Sequence, residues 1–377
     1  MLKFKRILAV ICCLFLLPSC AVSNQNEDSQ TEAVTCDTPN NEQIRAMWLS
    51  CYELSEMFEK GTREYFSDKV CELFEVCKIK NINTLFVQVR PFCDSLYPSE
   101  IFEWSKFAES SSGTLPNFDP LEIIVDTAAD YGVSVHAWIN PYRVSYDSSA
   151  EISKAIEGFA FSCEEGVFLD PSSVEAQKQV LEGVREILEN YDVDGIHIDD
   201  YFYPQTDNNF DKAAYEAYLD CGGKLSKNDW RRENVNSLVS ALYSLVHSAK
   251  TDAVFSISPA GDIRKNKTVH FADVELWCTV KGYADWIVPQ IYYGFEHEKM
   301  PFKKIADKWL KLAEKGNVKI ICGLASYKQG KADNGAGSGE NEWVNDNDVI
   351  SGQTKYINSI GYGGYALFSY SYVKKIK

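Results

Sequence analysis

From about residue 44 to the end of the chain, short apolar runs alternate with longer segments in which apolar residues recur every three or four positions. The short runs read as strands: Arg45 to Leu49, Thr84 to Val89, Ser134 to Ile139, Gly195 to Asp199, Val254 to Ser258, Trp286 to Gln290, Val318 to Gly323 and Gly364 to Ser369. The longer ones read as amphipathic helices: Ser67 to Lys80, Pro120 to Tyr131, Val174 to Tyr191, Trp230 to Lys250, Pro301 to Lys315 and Asp346 to Ile360. Asp119-Pro120 and Asp170-Pro171 have the acid-then-proline form of helix starts, and Gly132 and Gly316 stand where helices stop. Eight strands with helices between them in roughly 330 residues predict an α/β fold, a single (β/α)8 TIM barrel over residues 44–377 with enlarged βα loops. A doubly wound open sheet is the alternative, but it would bring a Gly-rich phosphate turn after its first strand. The first strand and its exit, Arg45-Ala-Met-Trp-Leu-Ser-Cys-Tyr, have none. Only Tyr370 to Lys377 follow the eighth strand, so the final helix is expected to be short or missing. The seam between the last and first strands then needs cover from a loop or from the N-terminal segment.

The first residues follow a different pattern. Lys3, Lys5 and Arg6 precede an apolar run of eleven residues, Ile7 to Leu17, too short to span a bilayer. Leu17-Pro18-Ser19-Cys20 resembles a bacterial lipoprotein signal box, which implies a signal peptide over residues 1–19, lipid on Cys20 and a chain tethered outside the cytoplasmic membrane. Simple secretion without lipid is the alternative, because Pro18 is not the usual small residue. Ala21 to Asn41 is polar and without apolar period, and residues 20–43 read as a flexible tether. Removal of the leader takes the formal charge from −16 to −19, since three cations leave and no acid does. Such a surface argues against nucleic acid or anionic lipid as a partner. Beyond the leader and Cys20, nine cysteines are scattered without a Cys-x-x-Cys pair, which is neither a disulfide framework nor a zinc signature. Most are expected to be buried thiols.

The chemistry gathers at one set of strand ends. Val193-Asp-Gly-Ile-His-Ile-Asp-Asp-Tyr-Phe-Tyr-Pro204 is an apolar strand that runs out into two carboxylates and three aromatic rings. Strand alternation puts His197 and Asp199 on one face and Ile196, Ile198 and Asp200 on the other. With the isoleucines packed outward, Asp199 points up the barrel axis, where barrel enzymes carry their catalytic groups. Alternatively, Asp199 and Asp200 cap the next turn. Strand two ends in Gln88, Arg90 and Asp94; strand three in His136, Trp138, Asn140, Tyr142 and Arg143; strand six in Gln290, Tyr292 and Glu296. The opposite strand ends carry ordinary turn residues such as Asn81 and Gly132. That asymmetry predicts a one-sided site. Individual residues keep bland readings too: His136 and Trp138 fill the barrel, Arg90 pairs with Asp199, and Trp230 packs while Arg231 and Arg232 pair with acids or meet a substrate carboxylate.

Taken in order, Arg45-Ala-Met-Trp-Leu, Asn83-Thr-Leu-Phe-Val-Gln-Val-Arg-Pro, Leu96-Tyr-Pro-Ser, His136-Ala-Trp-Ile-Asn-Pro-Tyr-Arg-Val, Asp192 to Tyr203, Asp229-Trp-Arg-Arg-Glu-Asn, Ser258-Pro-Ala-Gly and Pro289-Gln-Ile-Tyr-Tyr resemble the glycosyl-hydrolase-like family 10 of bacterial exported proteins. The resemblance covers nearly the whole chain after the tether. It implies a TIM barrel and a glycosidase acting on bacterial cell-wall glycan or another polysaccharide. Cys93 stands where the resemblance leads one to expect a small, glycine-like turn residue. Gly195-Ile-His-Ile-Asp199 is also similar to the fourth-strand segment of the α-amylase group, whose aspartate is the nucleophile.

Glycoside hydrolysis needs one carboxylate that attacks or activates water and one acid that protonates the departing oxygen. Asp199 is the first choice for the former. Glu296, Asp200 and Asp94 compete for the latter, with Glu296 favoured because Tyr292, Tyr293 and Phe295 are placed to exclude water around it. Gln88, Asn140, Tyr142, Arg143, Gln290 and Tyr292 are candidate sugar-hydroxyl binders, and Trp138, Tyr201, Tyr203 and Tyr292 candidate stacking rings. Arg90, Asp94, His136 and His197 complete the rim. No cofactor is expected. The five histidines include no His-x-x-x-His pair for a metal, although a loop calcium needs no fixed sequence, and no Gly-x-Ser-x-Gly elbow supports a serine hydrolase. The alternatives are a tethered carbohydrate-binding barrel without catalysis and a transglycosylase that uses the same acids.

Overall fold

The structure, a computed structural model, describes residues 43–199, 202–204 and 209–375. The signal peptide, Cys20 and almost all of the tether lie outside them, as do Asp200 and Tyr201.

Eight parallel strands close into a barrel: β1 (Ile44–Leu49), β2 (Thr84–Arg90), β3 (Ser134–Ile139), β4 (Gly195–Ile198), β5 (Val254–Ile257), β6 (Trp286–Ile287), β7 (Lys319–Leu324) and β8 (Gly364–Leu367). Each pairs with its sequence neighbour, and β1 pairs with both β2 and β8. Two separate apolar layers result. Outward residues such as Met47, Val87, Ala137, Ile196, Ile198 and Ile257 pack under the helices, whereas Ala46, Trp48, Phe86, Trp138, Val288, Ile321 and Ala366 fill the interior. Strand alternation is the cause, because residues of even and odd phase face opposite layers. Each fully covered Ile or Val contributes about 1.5–3 kcal/mol.

The helices follow their apolar stripes. Phe302–Ala313 buries Phe302, Ile305, Ala306, Trp309, Leu312 and Ala313, a spacing of three and four. Asp119 caps Pro120–Tyr131 by accepting from Leu121 and Glu122 N–H, and Gly132 ends that helix in the left-handed conformation. Asp170-Pro171 departs from expectation. Asp170 accepts from Ser172 N and Ser172 Oγ in a turn, and the helix starts at Val174 with Ser173 as its cap. The enlarged loop after β3 also holds an unforeseen antiparallel sheet, Arg143–Ser145, Gly166–Leu169 and Ala160–Cys163.

The last helix is a single turn, Tyr370–Val373, with Tyr370 and Val373 buried in the outer layer. The seam is reinforced by Glu53, whose carboxylate accepts from Ser50 N and Ser50 Oγ on one side and from Ser369 Oγ and Ser371 N on the other. Of the eight described cysteines, all free, Cys51, Cys77, Cys278 and Cys322 are buried, while Cys71 and Cys221 are exposed. Cys93 has φ of 59°, the left-handed backbone that suits a glycine.

Candidate active site

The inward phase of the strands rises in layers toward their C-terminal ends. At mid-barrel, His197 lies fully buried on Phe86, the rings 3.9 Å apart and nearly parallel. Trp48 Nε1 donates to its Nε2 at 3.1 Å, so the ring proton sits on Nδ1, 2.8 Å from Ser256 Oγ. Burial, with His136 nearby, drives its pKa far below the usual range, and His197 is a neutral core imidazole. His136 stacks on Trp286 at 5.0 Å, and burial lowers its pKa to about 3. Gly195 must be glycine there, because a Cβ would lie 2.8 Å from His136 Nδ1.

Above this layer opens a cleft of about 440 Å³. The cleft floor carries Gln88 from β2 and, just beyond the ends of β3, β4 and β6, Asn140, Asp199 and Gln290. Cys51 N donates to Gln88 Oε1 at 2.8 Å, Gln88 Nε2 to Asn140 Oδ1 at 2.8 Å, and Asn140 Nδ2 to Asp199 Oδ2 at 2.9 Å. Asp199 is only 4% exposed. The cleft walls are aromatic: Tyr52, Phe92 and Tyr146 belong to one group of rings, Tyr292, Tyr327, Phe368 and Tyr372 to another, and Trp138 adds its indole. Arg143 reaches in beside Tyr146, donating Nη1 to its hydroxyl at 2.8 Å with the guanidinium 4.4 Å from the ring centroid. Burial raises the Tyr146 pKa despite Arg143. A carboxylate, amides and one guanidinium between flat rings form a surface suited to sugar hydroxyls and pyranose faces.

Over residues 43–344 the sequence matches the glycosyl hydrolase-like 10 family. The chain belongs to that family. Among curated relatives it is 30% identical over 282 residues to glycosyl hydrolase DigH of Escherichia coli strain K12, an alignment covering 66% of this chain and 63% of DigH. It is 29% identical over 319 residues to glycosyl hydrolase YngK of Bacillus subtilis, covering 77% of this chain and 62% of YngK. The matches thus span a little under two thirds of these relatives. The fold is shared with the PgaB (BpsB) glycoside hydrolase domain from Bordetella bronchiseptica, at 11% identity and a TM-score of 0.60, covering 87% of this chain and 94% of that one. The structural likeness concerns the barrel fold, and the family is glycosyl hydrolase-like.

Within this family member, the cleft unites Asp199, Gln88, Trp138, Asn140, Arg143, Gln290 and Tyr292, all singled out from the sequence. Others are placed elsewhere. His136 and His197 belong to the barrel filling. Arg90 is turned away by a bulge between Gln88 and Arg90; it donates to Asn140 O at 3.0 Å and covers the Phe102 ring, and it does not pair with Asp199. Tyr142 is wholly buried in the outer layer, and Tyr203 packs edge-on against Phe271 with its hydroxyl toward Asn234. Arg231 makes a two-pronged pair with buried Asp211, at 2.5 and 2.7 Å, and Arg232 pairs with Asp229, so both follow the packing reading.

Glu296 is exposed and does not line the cleft. The segment is fixed by its main chain instead, Phe295 N and Glu296 N donating to Glu342 at 2.7 and 2.9 Å. Asp94 is half-buried, near Cys51 but not lining the cleft, and accepts from Phe92 N at 2.9 Å; burial raises its carboxyl pKa. Among the described residues Asp199 is the one carboxylate lining the cleft. Trp48, Tyr52, Tyr146, Tyr327, Phe368 and Tyr372 also line the cleft, although they are not among the candidates drawn from the sequence. The ends of β1 and β8, Trp48-Leu-Ser-Cys-Tyr and Phe368-Ser-Tyr-Ser-Tyr, show the same aromatic signal that marked the other strands.

Proposed function

We propose that the protein is a glycoside hydrolase of bacterial cell-wall glycan strands or another polysaccharide, exported and tethered through lipid on Cys20. Asp199 is the carboxylate that attacks the anomeric carbon or activates water. The observation that carries this reading is its position: Asp199 closes the floor of an aromatic-walled cleft at the C-terminal mouth of the barrel, with Asn140 donating to it. Sugar rings stack on the walls and present the scissile bond above the carboxylate, while the rings exclude water around it. The leaving oxygen takes its proton from a second acid, for which Asp94 and Asp200 are the candidates.

Asp199→Asn tests the reading. The substituted side chain keeps an oxygen for Asn140, so folding and glycan binding should stay near wild type. Turnover on peptide-free peptidoglycan strands and a polysaccharide panel, followed by mass spectrometry, should fall by more than the roughly 10²–10³-fold typical of losing a binding group. Wild-type-like turnover in this variant rejects the assignment. A second reading, a carbohydrate-binding barrel without catalysis, is favoured by the single carboxylate among the described cleft residues where hydrolysis requires two. It predicts glycan binding with no product from wild type. A transglycosylase would instead give lengthened or rearranged glycans. Release of Cys20→Ala from the membrane fraction checks the anchor.

A further inference from the structure

The inference rests on the reading of Asp199 as the working carboxylate. Side-chain amides are ambiguous, since either end can face a neighbour. Here one end of the row is a main-chain group that can only donate. Cys51 N–H lies 2.8 Å from Gln88, so the Gln88 atom facing it is the oxygen and the nitrogen is turned to Asn140. Asn140 must then accept with its oxygen, which leaves its nitrogen to donate to Asp199 Oδ2 at 2.9 Å. Gln88, Asn140 and Asp199 are at most 6% exposed, so bulk water offers no ready alternative partners. The direction of the row is set by the backbone after β1 and carried across β2 and β3 to β4.

We propose that Gln88 and Asn140 are positioning residues rather than sugar binders: they form a one-way donor row, anchored on the Cys51 amide, that holds Asp199 Oδ2 as an acceptor. A donor to the ionised carboxylate stabilises that form and fixes the plane in which it meets the sugar. Several of the groups near Asp199 bring it no charge. His197 below is neutral and engaged by Trp48 and Ser256; Cys51 and Tyr146 are uncharged near neutrality, burial raising both, with Cys51 pushed up to about 12. Tyr52, Tyr292, Tyr327 and Tyr372 bring hydroxyls, and Arg143 is the one cation lining the cleft among the described residues.

The test uses the full chain with Asn140→Ala and Gln88→Met. The titration midpoint of Asp199 is read by carboxyl-carbon NMR on aspartate-labelled protein, its resonance assigned by disappearance in Asp199→Asn. The pH profile of kcat/KM is recorded on the most active glycan. The midpoint should rise by about 1–2 pH units in Asn140→Ala, the scale of one charge-assisted hydrogen bond. It should rise less in Gln88→Met, where Asn140 remains but loses its enforced direction. The acidic limb of the profile should move with it. An unmoved midpoint in Asn140→Ala overturns the row whatever the activity, as does an activity loss equal at every pH. A midpoint that moves while wild type cleaves no glycan upholds the row and sinks the hydrolase reading instead.

Discussion

Glu53, on the helix that follows the first strand, accepts a 2.6 Å hydrogen bond from Ser369, just beyond the last strand, across the seam where the barrel closes. The same carboxylate holds Ser50 N, Ser50 Oγ and Ser371 N, so one side chain ties the exits of β1 and β8 where the terminal helix is a single turn. Because Ser50 and Phe368 line the cleft, this tie also shapes the site.

Glu53→Gln places an N–H₂ where two donors converge, whichever way the amide turns. An unmet buried donor costs about 1–3 kcal/mol. The variant should therefore lose about 2 kcal/mol in urea unfolding, with partial loss of turnover from a loosened cleft. An unchanged unfolding midpoint would reject the role of Glu53 as a closing tie.

Stability should fall with acid starting near neutrality. His136, with its pKa lowered to about 3, His270, lowered to about 4, and His197, lowered further, all stay neutral in the fold because burial disfavours the charged ring. In the unfolded chain they protonate at about 6.5. The unfolded state thus binds more protons below that pH, and each histidine weakens folding by up to about 1.4 kcal/mol per pH unit down to its folded pKa. Asp94 and Asp170, whose carboxyls burial raises, run the opposite way, losing stability as pH rises through the carboxylate range. Urea midpoints should accordingly drop between pH 7.5 and 5.5. A flat response would show that these imidazoles meet protons in the fold.

The barrel was legible because its strands have a strict two-residue phase and its helices a three-to-four-residue one; neither depends on distant contacts. Asp199 was legible for the same reason, since His197 and Asp199 share the phase opposite Ile196 and Ile198. Phase does not report height along the axis, however. His197 and His136 face inward as expected, but one and two layers too low, respectively, to meet a ligand. Arg90 was misplaced because a bulge after Gln88 reverses its phase, and nothing in Gln88-Val-Arg announces the bulge. Tyr142 and Tyr203 lie past strand ends, where alternation no longer applies. The donor row could not be foreseen, because its direction is imposed by the Cys51 amide, a backbone atom that every sequence possesses.

The general acid is the last point the geometry changes. Glu296 follows three rings in sequence, but its main chain is pinned by Glu342 while the side chain is exposed, away from the cleft lining. Glu296→Gln should leave turnover within about twofold of wild type, the scale of an ordinary surface substitution, and by the same factor on natural glycan and on an activated aryl glycoside. A true general acid behaves otherwise: its loss is severe when the leaving group is poor and mild when it needs little protonation. Asp94 has one property of such an acid, a carboxyl whose pKa is raised by burial, and it lies near Cys51, which lines the cleft. Comparing Asp94→Asn and Asp200→Asn on the two substrates assigns the role to whichever loses natural-glycan turnover selectively. That same selective loss in Glu296→Gln would return the assignment to Glu296 and require the loop to swing inward when glycan binds.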